Sequence, residues 1–338
     1  PLSFFGGIGG ASRNGILVKG SNFLEALADV NTIAFDKTGT LTQGAFTITG
    51  QYPAEGTTTT QLLEWAAYAE AYSTHPIATS LRTTYGKSIE KERIADVQEL
   101  SGNGVQATID GHIVLAGKAA MLQERNIAIP TELEAEIGTK VYVAVDWLYQ
   151  GCIVISDPLK PTAATAIQEI KALGVQKTVL LSGDAQKTAD AVAEALHIDE
   201  VHAQLLPQDK VQHLEQLLQQ QKKGDLLAYV GDGINDAPVL TRADVGIAMG
   251  AMGSDAAIEA ADVVLMDDNP DKLPIAIAIA RKTKRIVREN IVFALGVKGV
   301  VLILGALGIA NMWAAVFADV GVAMIAICNA VRTLRYQK

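Results

Sequence analysis

Short unbroken apolar runs recur along the chain, separated by stretches of helical periodicity. Asn31-Thr-Ile-Ala-Phe35, Val179-Leu-Leu181, Leu226-Leu-Ala-Tyr-Val230, Val245-Gly-Ile-Ala-Met249 and Val263-Val-Leu-Met266 are such runs. Each has the length and continuity of a strand buried on both faces. Asn22–Asp29 and Ala185–Leu196 read as helices between them. Strands alternating with helices predict an α/β fold built on a doubly wound parallel sheet. Asp36, Asp184, Asp232 and Asp236 all fall just after strands, so they converge on one sheet edge, where open α/β sheets take ligands.

The pattern changes between residues 47 and 151. Thr57–Thr60 is a polar loop, Leu62–Arg82 has helical periodicity, and Gly104–Gly117 and Lys140–Trp147 alternate. Asp110-Gly111 between apolar runs predicts a hairpin. This is a separate α+β unit inserted into the sheet domain, and the parallel pattern returns at Cys152. Near the C-terminus, Asn290–Ala310 is 21 residues long with one charge, Lys298, and Trp313–Val331 is 19 with one charge, Asp319. Both lengths fit membrane-spanning helices, and the Asn311-Met312 break makes them a hairpin. Basic residues precede (Arg281, Lys282, Lys284, Arg285, Arg288) and follow (Arg332, Arg335, Lys338), which puts both ends in the cytoplasm. Residues 1–20 open with small and apolar residues; they read either as the cytoplasmic end of a membrane helix or as an amphipathic helix of a soluble domain. The expected divisions are 1–28 (helix end and linker), 29–46 and 152–280 (sheet domain), 47–151 (insertion), and 281–338 (spans at about 290–310 and 313–331).

A length of 338 residues accommodates two or three domains with proper cores. Hydrophobic residues at 49% and a positive mean hydropathy point to a membrane portion. A net charge of −9 excludes a chain built to bind nucleic acid. Cys152 and Cys328 lie far apart with no Cys/His partner nearby, which argues against a disulfide framework or a zinc knuckle. The chain starts at Pro1 without a signal peptide and reads as the C-terminal piece of a longer one.

The strand ending in Asp36 runs into Lys37-Thr38-Gly39-Thr-Leu-Thr42. A carboxylate at such a strand end, followed by backbone N–H groups and hydroxyls that can cradle phosphate, makes Asp36 a candidate nucleophile forming an aspartyl-phosphate. Such a transfer needs a cation and donors for the transferred oxygens. Asp232 suits Mg²⁺, the Thr38 carbonyl is a further ligand, and Asp236 supports Asp232 from behind. Asn235 with Gly231 and Gly233 fits a tight loop against a phosphate. Lys210 is the candidate cation beside the acyl-phosphate, and Ser182 the hydroxyl facing the phosphoryl oxygens.

The ordered set Asp36…Ser182…Lys210…Asp232/Asp236 resembles the haloacid-dehalogenase-like phosphotransferases. Asp36-Lys-Thr-Gly-Thr-Leu-Thr42, Gly231-Asp-Gly-Ile-Asn-Asp-Ala-Pro238 and the insertion narrow the resemblance to P-type ATPases. It implies a phosphorylation domain, an inserted nucleotide-binding domain, Mg²⁺ as cofactor and ATP as substrate. Lys37, Gly183 and Asp184 then support the phosphate loop. Ser73-Thr-His75-Pro76 resembles the nucleotide-domain mark of the heavy-metal branch. By that resemblance His75 and Glu70 contact the adenine end of ATP, Gly102-Asn-Gly104 lets backbone approach the phosphates, and Gly117 continues the site. Lys118 stands where the family usually has Asn, and Thr74 where it usually has Glu.

Lys298 and Asp319 are costly in hydrocarbon, roughly 2.5–3.5 kcal/mol each on insertion scales. They lie at similar depth. Two readings stand: the pair meet, or Asp319 binds a transported ion and Lys298 replaces its charge afterwards. Lys in the first span with Asp319-Val-Gly321 in the second resembles zinc/cadmium/lead exporters of the cytoplasmic membrane. The resemblance implies ATP-driven export of Zn²⁺, Cd²⁺ or Pb²⁺ by a multi-pass protein with cytoplasmic catalytic domains. The rest of the pump, an actuator domain and earlier helices, is then an expected partner. The alternatives are a membrane-anchored phosphatase of the same superfamily and a regulatory ATP-binding module.

Overall fold

The computed structural model describes residues 2–73, 75–100, 103–130, 138–232, 236–250 and 255–334. The chain divides into two compact units, Pro1–Leu41 with Leu159–Lys338, and Thr42–Pro158.

The first unit is organised on a seven-stranded sheet in the order Ile16–Val18, Val263–Leu265, Val245–Met249, Leu226–Gly231, Val30–Asp36, Lys177–Leu181, Glu200–His202. All neighbours are parallel except Ile16–Val18, which runs antiparallel to Val263–Leu265. Val30–Asp36 is the first parallel strand in the chain. Lys177–Leu181 and then Glu200–His202 are laid down on one side of it, and Leu226–Gly231 on the other. The end of Val30–Asp36 is therefore the topological switch point, where no crossover covers the crevice. Both sheet faces are buried. Ile33, Phe35, Leu180, Val230 and Ile247 pack on one side. Ala34, Val179, Leu181, Tyr229 and Ala248 pack on the other. This explains why these strands read as unbroken apolar runs.

Residues 1–28 are more than a linker. Leu2–Arg13 is a helix, Ile16–Val18 joins the sheet edge, and Ser21–Asp29 is a helix that buries Leu24 and Leu27 in the core. Helix–helix approach is close: a Cβ on Gly10 would meet the Thr333 carbonyl oxygen at 2.7 Å. Lys272–Ala306 is one helix of 35 residues, about 50 Å long at 1.5 Å per residue. It therefore includes the basic stretch before the predicted span. It stops at Ala306, short of 310, and Gly308 takes a left-handed φ of +74° in the connection. Met312–Val316 and Val322–Val331 are α-helical, joined without a break by a π-helical turn, Phe317–Gly321. Lys272–Ala306 and Met312–Leu334 are each long and apolar enough to cross a membrane.

The second unit is a six-stranded antiparallel sheet in the order Thr47–Pro53, Leu148–Ser156, Thr139–Val145, His112–Gly117, Gly104–Ile109, Ile94–Leu100. Asp110 and Gly111 form the expected hairpin turn, both with positive φ. The periodicity of Leu62–Arg82 resolves into two helices, Thr59–Ala69 and Pro76–Tyr85. Pro76 lacks the N–H that a continuing helix would need, and it sits at the start of the second. The insertion, expected at 47–151, corresponds to the unit Thr42–Pro158. Cys152 lies inside the strand Leu148–Ser156, which pairs with Thr47–Pro53 and so stays in the antiparallel sheet.

Candidate active site

Register places the functional groups of the first unit. Asp36 ends its strand opposite Leu181, so Ser182 follows directly at the neighbouring strand end. On the other side Phe35 pairs with Val230, which sets Asp232 just beyond Asp36. Ligand oxygens of Asp36, Asp232 and Asp236 lie within 4.8 Å of one another. Lys210, in the first turn of the helix Pro207–Gln219, reaches in from a distant part of the sequence. Its Nζ donates to Asp36 Oδ1 at 2.6 Å and to Asp236 Oδ1 at 3.0 Å. Asp209 fixes that helix start by accepting the N–H of Leu206 at 2.9 Å.

Three carboxylates around one ammonium leave excess negative charge in a buried site. Burial, reinforced by Asp236 and opposed by Lys210, pushes the Asp36 carboxyl up to about 7. Burial and then Asp236 push Asp232 up to about 6. Burial works against the Lys210 ammonium, yet the Asp36 and Asp236 carboxylates outweigh it and hold its pKa above the ordinary lysine value. Such a set of hard oxygen donors, short of positive charge, fits a divalent cation such as Mg²⁺.

Gly39 makes the cluster possible. Its φ is +72°, and a Cβ there would stand 1.6 Å from Asp232 Oδ2. A side chain would therefore displace the carboxylate as well as strain the turn. Thr38 is exposed in this turn, whereas the buried Thr40 hydroxyl has no hydrogen-bond partner among the described residues. Lys37 Nζ pairs with Asp184 Oδ2 at 2.7 Å, tying the Asp36 loop to the Ser182 loop. Ser182 is buried, its Oγ accepts the N–H of Asp184 at 3.1 Å, and Gly183 between them is exposed. Asn235 lies outside the described residues.

Lys160 was not singled out from the sequence. It is buried, and its Nζ donates to the Gly39 carbonyl at 2.5 Å, to Asp268 Oδ2 at 3.0 Å and to the Asp268 carbonyl at 3.1 Å. The only signal is its place between Pro158 and Pro161 where the chain returns to the sheet.

In the second unit, Glu70, Ser73, His75, Gly104, Gly117 and Lys118 line one cavity of about 400 Å³, with Ile77, Leu100, Val105 and Val141 supplying apolar surface. That size and lining suit a heteroaromatic ring with a few polar contacts. His75 caps the helix Pro76–Tyr85: its Nδ1 accepts the N–H of Ile77 at 3.2 Å. In the neutral ring the proton is then on Nε2. Burial raises the Glu70 carboxyl pKa, against the pull of Ser73 and His75. Gly104 and Gly117 are cross-strand partners, and a Cβ on either would come within 2.6 Å of the other's Cα. Close backbone packing is thus sufficient reason for glycine at both positions. Gly102 lies outside the described residues.

Between the two apolar helical segments, Lys298 Nζ donates to Asp319 Oδ1 at 3.0 Å. Asp319 sits in the π-helical turn, a feature that recurs at functional sites.

A family model for haloacid dehalogenase-like hydrolase matches residues 30–244. The cadmium, zinc and cobalt-transporting ATPase of Bacillus subtilis is 54% identical over 336 residues, which is 99% of this chain and 47% of that protein. The zinc-transporting ATPase of Synechocystis is 52% identical over 332 residues, 98% of this chain and 46% of that protein. Among solved structures, a zinc-transporting PIB-type ATPase in its E2.Pi state superposes with a TM-score of 0.88 at 39% identity, covering 99% of this chain and 55% of that one. The chain thus spans about half the length of the curated relatives it matches. It belongs to the haloacid-dehalogenase-like hydrolases and, within them, to the heavy-metal branch of the P-type ATPases.

Proposed function

We propose that this chain is the catalytic and C-terminal membrane part of a pump that exports Zn²⁺, Cd²⁺ or Pb²⁺ from the cytoplasm at the expense of ATP. The observation that carries the reading is the Lys210 ammonium bridging Asp36 and Asp236 inside the buried carboxylate cluster. ATP is held by the 42–158 unit, with its adenine end at the cavity of Glu70 and His75. An ionised Asp36 oxygen attacks the γ-phosphorus, the bond to the β-phosphate oxygen breaks, and ADP leaves. Water later attacks the same phosphorus, releasing inorganic phosphate and regenerating Asp36. Asp36, Asp232 and the Thr38 carbonyl would hold Mg²⁺, which supplies positive charge for the crowded phosphoryl oxygens. Lys210 offsets charge on the transferred group, the Ser182 hydroxyl faces its oxygens, and Lys37 with Asp184, Gly183 and Asn235 supports the loop around it. Lys160 holds the Gly39 turn in place. In the membrane, Asp319 takes the ion and Lys298 is its counter-charge; Zn²⁺ accepts carboxylate oxygen.

The test is ATP hydrolysis by the full-length protein in lipid with Zn²⁺, Cd²⁺, Pb²⁺ or Cu⁺, alongside Asp319→Ala. Stimulation by the divalent ions, lost in Asp319→Ala, is expected. A response to Cu⁺ alone would reassign the ion. Steady phosphoester turnover indifferent to metal would make the protein an anchored phosphatase instead.

A further inference from the structure

Four cations line one cavity away from the catalytic cluster. Arg281, Lys282 and Arg285 from the long helix and Arg332 from the C-terminal turn surround about 590 Å³, with Glu289 the one carboxylate among them. Leu173 and Ile286 add apolar lining. Arg281 is fixed in place, its Nε and a terminal nitrogen donating to the carbonyls of Ala28 at 3.2 Å and Val30 at 3.1 Å. Arg332 is steadied by Asn329 Oδ1 at 2.7 Å, and it and Arg285 are exposed. The position along the helices matters most. Glu289 immediately precedes Asn290, where the first apolar run opens, and Arg332 immediately follows Val331, where the second ends. The cavity runs from Leu173 and Arg281 to the cytoplasmic ends of both runs, and its Glu289 and Arg332 end reaches the level of lipid phosphates once the helices are embedded. Ile291, Val292 and Val331, next to it in sequence on the membrane side, are exposed apolar side chains.

We infer that this cavity binds the phosphate headgroup of an anionic phospholipid, whose acyl chains lie along the apolar helix surface beyond Glu289 and Val331. A net excess of cations at the headgroup level matches such a ligand in charge, and basic pockets between membrane helices on the cytoplasmic side take such headgroups. The apolar surface alongside favours a lipid over a free phosphate. The inference rests on the two helices spanning a bilayer, and its readout is independent of transport.

The full-length protein, stripped of native lipid, is titrated with phosphatidylglycerol and with phosphatidylcholine, and retained lipid is counted by native mass spectrometry. Phosphatidylglycerol is expected to bind saturably and in preference to phosphatidylcholine. Arg285→Gln and Arg332→Gln each weaken it about fivefold, whereas Arg285→Lys keeps wild-type affinity. Thermal melts of the variants identify any that fail to fold. Equal affinity of the folded Gln variants and wild type overturns the proposal. So does displacement of the lipid by inorganic phosphate at equal concentration, which would assign the cavity to a free anion. Intact lipid binding without metal-stimulated hydrolysis would overturn the pump reading alone.

Discussion

Asp36 is held in an environment that favours its protonated form, and the proposed phosphoryl transfer requires the ionised form. The ordinary carboxyl value is near 3.9, whereas burial and Asp236 take Asp36 to about 7, and burial with Asp236 takes Asp232 to about 6. Between the unfolded and folded values the native state binds more protons than the unfolded one. Stability from these groups therefore falls as pH rises from about 4 to 7, and the full penalty is present above that window. A cation bound among the carboxylates removes the penalty where it is largest. Mg²⁺ is thus expected to raise the thermal midpoint more at about pH 8 than at about pH 5, and Asp36→Asn to shrink the difference while abolishing phosphoenzyme. Scanning fluorimetry with and without Mg²⁺ at the two pH values measures this. An equal Mg²⁺ effect at both would mean that the cluster does not hold the ion.

At the scale of elements, the helix Pro76–Tyr85 is capped by a residue to which the proposed function gives a second task. His75 Nδ1 caps the helix, leaving Nε2 with the proton to offer a ligand in the Glu70 cavity. Asn is also a good N-cap, so substitutions separate the tasks. His75→Ala is expected to lose about 1 kcal/mol of stability and on the order of tenfold in ATP affinity, the value of one good hydrogen bond. His75→Asn should keep the stability and still lose the affinity, as read by thermal melts and titration calorimetry with ATP. An Asn variant that binds ATP like wild type would reduce His75 to a cap. What was legible in the sequence follows the same physics. Strands buried on both faces write themselves as apolar runs, and an acid or Ser at their ends stands out, so Asp36, Ser182 and Asp232 were found together. Ile16–Val18 was not, because three edge residues carry no period. The break within Leu62–Arg82 was masked by apolar spacing that continues across both helices. Lys160 was invisible because its partner Gly39 is 121 residues away and a lone lysine between prolines forms no pattern.

Over the whole molecule, the proposed pump has to link phosphorylation at the sheet to charge in the helical hairpin, and in that reading Lys298 with Asp319 is where the hairpin responds. Each charge alone is costly in hydrocarbon; at 3.0 Å they neutralise one another. An ion bound at Asp319 has to break this pair, and release has to restore it. The two residues then differ in what their loss does. Asp319→Ala removes the ligand, so metal occupancy measured by equilibrium dialysis and metal-stimulated hydrolysis are both expected to vanish. Lys298→Ala leaves the ligand but takes away the charge that replaces the ion, so occupancy should persist while turnover falls at least about tenfold. That corresponds to about 1.4 kcal/mol on the barrier, well within the roughly 2.5–3.5 kcal/mol cost of an unpaired charge. Phosphoenzyme should accumulate in Lys298→Ala, because the step that slows follows phosphorylation. Were Lys298→Ala to lose occupancy as Asp319→Ala does, the lysine would be holding the ion site in shape, and the counter-charge would have to come from elsewhere in the pump.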